Sequence, residues 1–239
     1  MARDPVAIAV LASGGGSNLQ ALIDHFAGSS VARVALVVSD RPQAGALERA
    51  RRAAIDARVL DVKGRPAADI AREMLELFDA HGIGLVALAG YLKLVPVEVV
   101  RRYAGRIVNI HPALLPAFGG AGYYGARVHE AVLASGATVS GPTVHLVDEE
   151  YDRGRVLARW PVPVLPGDTA EALAARVLAA EHVLYPVVVE WLARGGEDGE
   201  ARSLRAVEDA PGFAPTERAP TIDEVRTALG LAQQVQHRE

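Results

Sequence analysis

The sequence contains no cysteine, and this absence excludes disulfide bonds, thiolate metal sites and cysteine nucleophiles. Aromatic residues make up only 5% of the 239 residues, and Ala, Val and Leu dominate instead. Basic residues are not in excess, because the formal net charge is −4, which argues against a nucleic-acid-binding protein. We see no signal peptide and no apolar run of membrane-spanning length. We therefore expect a cytoplasmic protein that binds neither nucleic acid nor a membrane.

The apolar segments of the first 110 residues predict the class of fold. Half of all residues are hydrophobic, which is enough for a substantial buried core. Residues 6–11 form a continuous apolar run between Pro5 and a glycine cluster, as in a strand that is buried on both faces. Further strands are expected at 31–38, 57–60, 85–89 and 106–110. Helical segments alternate with most of these strands, which predicts an α/β protein with a doubly wound, mostly parallel sheet and ligands at the strands' carboxyl ends.

The pattern changes after residue 120. Residues 140–147 and 156–164 both read as strands, and a polar turn separates them. We therefore expect an antiparallel extension of the sheet after residue 135. A long helix is expected from about residue 167 to 193.

The glycine-rich stretch 195–199 indicates a boundary in the chain. We expect a main domain of residues 1–195 and a C-terminal extension of residues 196–239. The extension contains several prolines and should be partly irregular, with a short helix near 221–233.

Asn109 and His111 are two positions apart at the end of the predicted strand 106–110. Alternate side chains of a strand point to the same face, so an amide donor and an imidazole lie side by side. Pro112 cannot continue a central ladder, and the strand must stop there. Such a pair can stabilise a developing oxyanion. The other interpretation is a buried histidine that is satisfied by backbone groups.

Other polar segments also admit two interpretations. The turn of residues 13–18 either holds an anion on backbone N–H groups before a helix or is a tight turn capped by Ser17. It lacks the Gly-x-Gly-x-x-Gly and Lys-Ser/Thr patterns, which excludes a nucleotide P-loop and disfavours a dehydrogenase. Asp152 lies in an acidic turn that is either catalytic or merely solvated, and His145 is either a ligand or a polar residue of the sheet. Three further histidines are expected at structural or solvated positions on helix surfaces or ends: His25, His81 and His129.

Taken together, five segments resemble the folate-dependent formyltransferases, in the family's order and at close to its spacing. They are ASGGGSNLQ at 12–20, AGYLK at 89–93, YAGRIVNIHPALLP at 103–116, SGPTVHLVDEEYDRG at 140–154 and AEHVLYP at 180–186. The resemblance implies the Rossmann-like formyltransferase fold. It also implies transfer of the formyl group of 10-formyltetrahydrofolate to the amine of glycinamide ribonucleotide, in purine synthesis and without a metal.

The resemblance also implies the roles of individual residues. Asn109 and His111 should hold the oxyanion, while Asp152 should raise the pKa of His111. Residues implied to bind glycinamide ribonucleotide are Gly16, Ser17 and Asn18 at its phosphate and Glu181 at its glycinamide end. Residues implied to bind the folate are Arg65, Leu92, Lys93, Leu94, Val95 and Asn109.

The sequence departs from the family pattern in several places and leaves alternatives. The loop 119–125 is longer and richer in glycine than in many members, and Leu178 replaces a polar residue that many members carry. Methionyl-tRNA formyltransferase is disfavoured because the tail is short and not basic. Formyltetrahydrofolate deformylase is disfavoured because the chain begins with the first strand. A non-catalytic nucleotide-binding module is the remaining alternative, and a monomer or homodimer is expected.

Overall fold

The structure is a computed structural model that describes residues 4–196, 204 and 206–231. Its strands are β1 (Val6–Leu11), β2 (Ala32–Ser39), β3 (Asp56–Val59), β4 (Ile83–Leu88), β5 (Ile107–His111), β6 (Val139–Ser140), β7 (Thr143–Leu146), β8 (Val156–Arg159) and β9 (Val162–Pro163). Seven of them form one sheet in the order β3-β2-β1-β4-β5-β7-β8, and β6 pairs with β9. The first five strands pair in parallel, whereas β5, β7 and β8 pair antiparallel. The predicted α/β fold with an antiparallel extension is confirmed.

Helices cover both faces of the large sheet. They are α1 (Ser17–His25), α2 (Gly45–Arg52), α3 (Ala67–Ala80), α4 (Val97–Arg102), α5 (Ala126–Ala134), α6 (Ala170–Ala193) and α7 (Ile222–Ala228). Strand β1 explains the two layers, because Ile8 and Val10 pack into the core with α1 and α6, while Ala9 and Leu11 pack into the core with α3 and α4. A strand buried on both faces must be apolar throughout, as its sequence is.

Two predicted strands are each divided in the structure. Gly141 adopts φ 144°, and a Cβ at this position would lie 2.0 Å from the carbonyl oxygen of Trp160. This close crossing bends the chain, so that β6 and β9 leave the large sheet as a separate antiparallel pair. Helix α4 was not predicted, since six residues after Pro96 are too few to display helical periodicity.

Helix α6 joins the helical layer to the strands that carry the candidate site. It has 24 residues and is long and apolar enough to span a membrane. More than half of its most apolar 18-residue stretch, however, is buried inside the protein. The hydroxyl of Tyr185 donates to the carbonyl oxygens of Leu88 and Val108 at 2.9 and 3.1 Å. One buried side chain therefore ties α6 to the adjacent strands β4 and β5.

The described part of the C-terminal extension packs on α6. Val207, Val225 and Leu229 are buried in the same core as α1 and α6. Arg226 donates to Glu190 of α6 at 2.8 Å. The short helix expected near 221–233 is α7, and the last two positions of that range lie outside the described residues, as does most of the glycine-rich boundary at 195–199.

Candidate active site

The end of β5 brings Asn109 and His111 to one side of the sheet. Asn109 is opposite Leu88 of the parallel neighbour β4 and opposite His145 of the antiparallel neighbour β7. His111 is the last residue of the strand and is only 4% exposed. The site therefore lies at the carboxyl edge of a parallel sheet, where α/β proteins bind their ligands.

Asp152 reaches the same place from the turn between β7 and β8. Its backbone has φ 55°, an uncommon conformation for a residue other than glycine. Its Oδ2 accepts the N–H of Gly120 at 2.9 Å and lies 3.6 Å from Nδ1 of His111. Its Oδ1 lies 3.5 Å from Nδ2 of Asn109. Asp152 thus meets Asn109 and His111, which lie 43 and 41 positions earlier in the sequence.

The imidazole of His111 is held between the chain and this carboxylate. Its Nε2–H donates to the carbonyl oxygen of Phe118 at 2.8 Å, so Nδ1 is the nitrogen that faces Asp152. Burial lowers the pKa of His111 and outweighs the charge of Asp152, which raises it. The effect of Asp152 has the predicted direction, but the net pKa lies below the ordinary value. His111 is therefore mainly neutral at pH 7 in this structure.

Asp152 itself is poised as a carboxylate. Burial raises the pKa of Asp152, but the nearby His145, the charge of His111 and the N–H of Gly120 together lower it by a larger amount. The net pKa lies below the ordinary value of an aspartic acid. A permanent negative charge at this point favours any proton that arrives on His111.

His145 orients the amide of Asn109. Its Nδ1 lies 2.8 Å from the carbonyl oxygen of Leu146, which can only accept, so Nδ1 carries the hydrogen. In the neutral ring Nε2 then accepts from Nδ2 of Asn109 at 3.0 Å. Of the two roles left open for His145, the structure supports a polar residue of the sheet that also contacts the candidate site.

Asn18 and Glu181 form a second polar pair, contributed by α1 and α6. Nδ2 of Asn18 donates to Glu181 at 2.6 Å. Burial raises the pKa of Glu181 to about 7, although the hydrogen bond from Asn18 lowers it. Among the described residues, Oδ1 of Asn18 has no hydrogen-bond partner despite being buried. The pair therefore offers a protonatable carboxyl group and a free acceptor.

Both polar groups line one cavity of about 500 Å³. This volume is within the usual range of about 300–1,000 Å³ for small-molecule sites. The predicted site residues that line it are Asn18, Leu92, Asn109, His111, Asp152 and Glu181. The loop 120–125 and Leu178 also line this cavity, and Tyr123 and Tyr124 are exposed at this loop. The arrangement combines oxyanion donors, a charge-stabilised imidazole and a separate carboxyl group.

A family model described as formyl transferase matches residues 6–189. The chain belongs to the formyl transferase family. A relative from Vigna unguiculata, named phosphoribosylglycinamide formyltransferase, chloroplastic, is 48% identical over 187 residues, 77% of this chain and 60% of the relative. The phosphoribosylglycinamide formyltransferase of Escherichia coli is 40% identical over 79% of this chain and 87% of its own length.

Solved formyl transferase structures have the same fold. Glycinamide ribonucleotide transformylase 1 from Symbiobacterium toebii has a TM-score of 0.74 and 42% identity, over 80% of this chain and 89% of that chain. The family resemblance inferred from the sequence is therefore confirmed. The chain spans less than two thirds of the two plant relatives it matches, 60% and 63% of their lengths.

Other residues that the resemblance implies do not line the cavity of this formyl transferase. Gly16 adopts φ 76° at the start of α1, and a Cβ there would lie 2.7 Å from Cα of Ala46, so its side of the turn is packed against α2. Ser17 lines a neighbouring cavity instead.

The implied folate-binding residues are also spread. Arg65 forms an ion pair with Glu73 at 2.7 Å and is not among the residues that line the cavity. After Leu92 the chain turns away, since Val95 is buried in the core and Leu94 is 47% exposed. Lys93 is not a lining residue either. Of the four residues 92–95, Leu92 alone lines the cavity.

His129 also lines the candidate active site, which the sequence did not indicate. It is 5% exposed, so the expectation of a solvated histidine on a helix surface is wrong, whereas a structural role stays a prediction. Its pKa is lowered by burial and by His111. The sequence could have indicated this burial, because His129 lies next to Val128 and three residues before Val132, which are also buried in α5. His25 and His81 do pair with carboxylates at 2.9 Å, as structural histidines.

Proposed function

We propose that this chain transfers the formyl group of 10-formyltetrahydrofolate to the amine of glycinamide ribonucleotide. The observation that carries the proposal is the meeting of Asn109, His111 and Asp152 at one cavity. The names of the relatives support this reaction, because the plant and bacterial proteins described above are phosphoribosylglycinamide formyltransferases.

The reaction needs no nucleophile from the protein. The substrate amine attacks the formyl carbon, a new C–N bond forms, and the carbonyl oxygen becomes an oxyanion. The bond from the same carbon to N10 of the folate then breaks, while the proton lost by the amine is delivered to N10. Products are the formamide of the ribonucleotide and tetrahydrofolate, so atoms and charge balance.

The site residues match these demands. The amide of Asn109 supplies a hydrogen-bond donor for the oxyanion, and Nδ1 of His111 supplies a second donor once it is protonated. Burial keeps the resting His111 neutral, but a negative charge on the substrate adds to that of Asp152 and raises the pKa of the imidazole. As the oxyanion forms, Nδ1 of His111 takes up the proton that the attacking amine loses, and His111 gives this proton to N10 of the folate when the bond from the formyl carbon to N10 breaks. Asp152 keeps its charge because its own pKa is low.

The substrate positions that we propose are those implied by the family resemblance. The amine end of glycinamide ribonucleotide would contact Glu181, and its phosphate would lie at the backbone N–H groups of Gly16, Ser17 and Asn18 at the start of α1. The folate would use the backbone of residues 92–95 and, at its outer end, Arg65. Leu178 offers no polar group to either substrate.

A direct assay tests the reaction. Purified protein should release tetrahydrofolate from 10-formyltetrahydrofolate only when glycinamide ribonucleotide is present. Release without the amine would instead indicate hydrolysis of the formyl group, and the proposal would be abandoned. No release with both substrates would point to a non-catalytic binding module.

A further inference from the structure

A second cavity, of about 530 Å³, lies next to the first and is lined by none of the proposed catalytic residues. The two cavities meet at the start of α1, because Asn18 lines one cavity and Ser17 the other. Its walls come from α1, α2, α6 and α7. The volume again falls in the range of about 300–1,000 Å³ that small-molecule sites occupy.

The cavity has two distinct ends, because α1 and α6 run side by side. Asn18 bonds to Glu181 at the start of this contact, and His25 bonds to Glu190 two turns further along. Arg226 of α7 also bonds to Glu190, which places the extension at the second end. Lining residues near the glycine turn therefore form one end, and those near α7 form the other.

The end near the glycine turn is cationic and polar. Arg49 donates from Nε to the carbonyl oxygen of Gly15 at 2.8 Å and from Nη1 to Gln20 at 3.2 Å. Its Nη2 makes no hydrogen bond within the described part of the chain. His182 also lines this end, and burial together with the charge of Arg49 lowers its pKa. Asp24 lies a turn further along α1, where it accepts from Gln20 at 2.8 Å.

The other end is mainly apolar, apart from the imidazole of His25, which is paired with Glu190. Its walls include Ala21, Val183, Pro186 and Ile222, and Ile222 is 41% exposed although it is a large aliphatic residue. Ile222 belongs to the extension, outside the residues 6–189 that match the family model. The part of the chain beyond the family match thus builds one wall of this cavity.

We propose that the second cavity binds a small phosphate monoester with an apolar ring. The phosphate lies between Arg49 and His182, where a guanidinium and an imidazole that becomes protonated hold it by charge-assisted hydrogen bonds. The ring lies against Val183 and Ile222. Because Arg49 also holds the Gly15 carbonyl, the ligand acts on the glycine turn that borders the active site.

Calorimetric titration of the full chain with phenyl phosphate tests the proposal. Saturable binding should weaken about tenfold or more in Ala21→Phe, which fills the apolar end. It should be unchanged in Ala27→Phe, the same substitution at an exposed position just beyond α1 and outside the cavity. The His182 imidazole should titrate at higher pH when phenyl phosphate is bound. Binding that is absent, or equal in both variants, overturns the site.

Two further arms complete the test. Inorganic phosphate should bind about tenfold more weakly than phenyl phosphate, and equal affinity would refute the apolar half of the site. Thermal melting of Ala21→Phe and Ala27→Phe checks that both are folded. If Ala21→Phe does not fold, Ile222→Glu at its exposed position replaces it, and unchanged binding of phenyl phosphate in that variant contradicts the proposal.

Discussion

Asn18 donates a 2.6 Å hydrogen bond to Glu181 across 163 positions of the sequence, and this bond joins the glycine turn to the long helix α6. Burial raises the pKa of Glu181 to about 7, even though the bond from Asn18 lowers it. Near neutral pH the carboxyl group therefore exchanges between its protonated and charged forms. The group that we propose to meet the substrate amine is in this way also coupled to the stability of the fold.

Glu181 should make the protein less stable as the pH rises. Below about pH 4.5 the group is protonated in both the folded and unfolded states, whereas between pH 4.5 and about 7 only the folded state retains the proton. The unfolding free energy should therefore be about 3 kcal/mol lower above pH 7 than below pH 4.5, because the pKa of Glu181 is shifted from 4.5 to about 7. Denaturant unfolding at pH 5 and pH 8 measures this loss of stability, and the loss should disappear in Glu181→Gln. The exposed substitution Glu130→Gln should retain it.

Asp152→Asn should lower the pKa of His111 further, because it removes the one negative charge that raises this pKa. Titration of the His111 imidazole by NMR measures the shift. Turnover should fall by about 10²–10⁴, the usual effect of losing a group that assists proton transfer. Glu150→Gln removes a charge from an exposed position of the same turn and should change neither value. An unmoved His111 titration in Asp152→Asn would refute the coupling.

The local pattern of the sequence predicts most of the sheet but not its breaks. Strands such as β1 are short and apolar throughout, so the sequence pattern alone is enough to recognise them. The division of the later strands depends on the approach of Gly141 to Trp160, a tertiary contact that no local pattern contains. Helix α4 is too short to display a period.

The candidate site shows the same limit. Asn109 and His111 share a strand, so their proximity follows from the period of two residues. The contact of Asp152 with them, and the burial of His129 beside them, depend on how distant segments fold together. Burial also decides the net pKa of His111, and the sequence alone could supply only the direction of the effect of Asp152.

Gly16→Ala should destabilise the protein and disturb the proposed phosphate turn. The residue adopts φ 76°, and an added Cβ would lie 2.7 Å from Cα of Ala46. Left-handed strain alone costs about 1–3 kcal/mol at a residue other than glycine, and the clash adds to it. Gly14→Ala is the matched control, since a Cβ there meets nothing within 4 Å and its φ is not positive. Equal unfolding free energies of the two variants would show that the turn tolerates the change.

The C-terminal extension should contribute to stability and not to chemistry. Leu229 is 1% exposed in the core beside α6, so Leu229→Ala should cost about 2–5 kcal/mol of unfolding free energy. Turnover at a temperature where the variant is folded should be unchanged, since none of the proposed catalytic residues lies in the extension. Thr227→Ala, exposed on the same helix, should affect neither. A large loss of turnover in folded Leu229→Ala would show that the extension shapes the active site.

The most direct test of the central claim is to follow the transferred carbon. 10-Formyltetrahydrofolate carrying ¹³C in its formyl group is incubated with glycinamide ribonucleotide and the protein, and the label is located by NMR. The label should appear as a formamide on the ribonucleotide, at a rate that His111→Ala lowers by about 10²–10³, the usual effect of losing an oxyanion donor. Label recovered as free formate, or transfer at the normal rate in His111→Ala, would contradict the account.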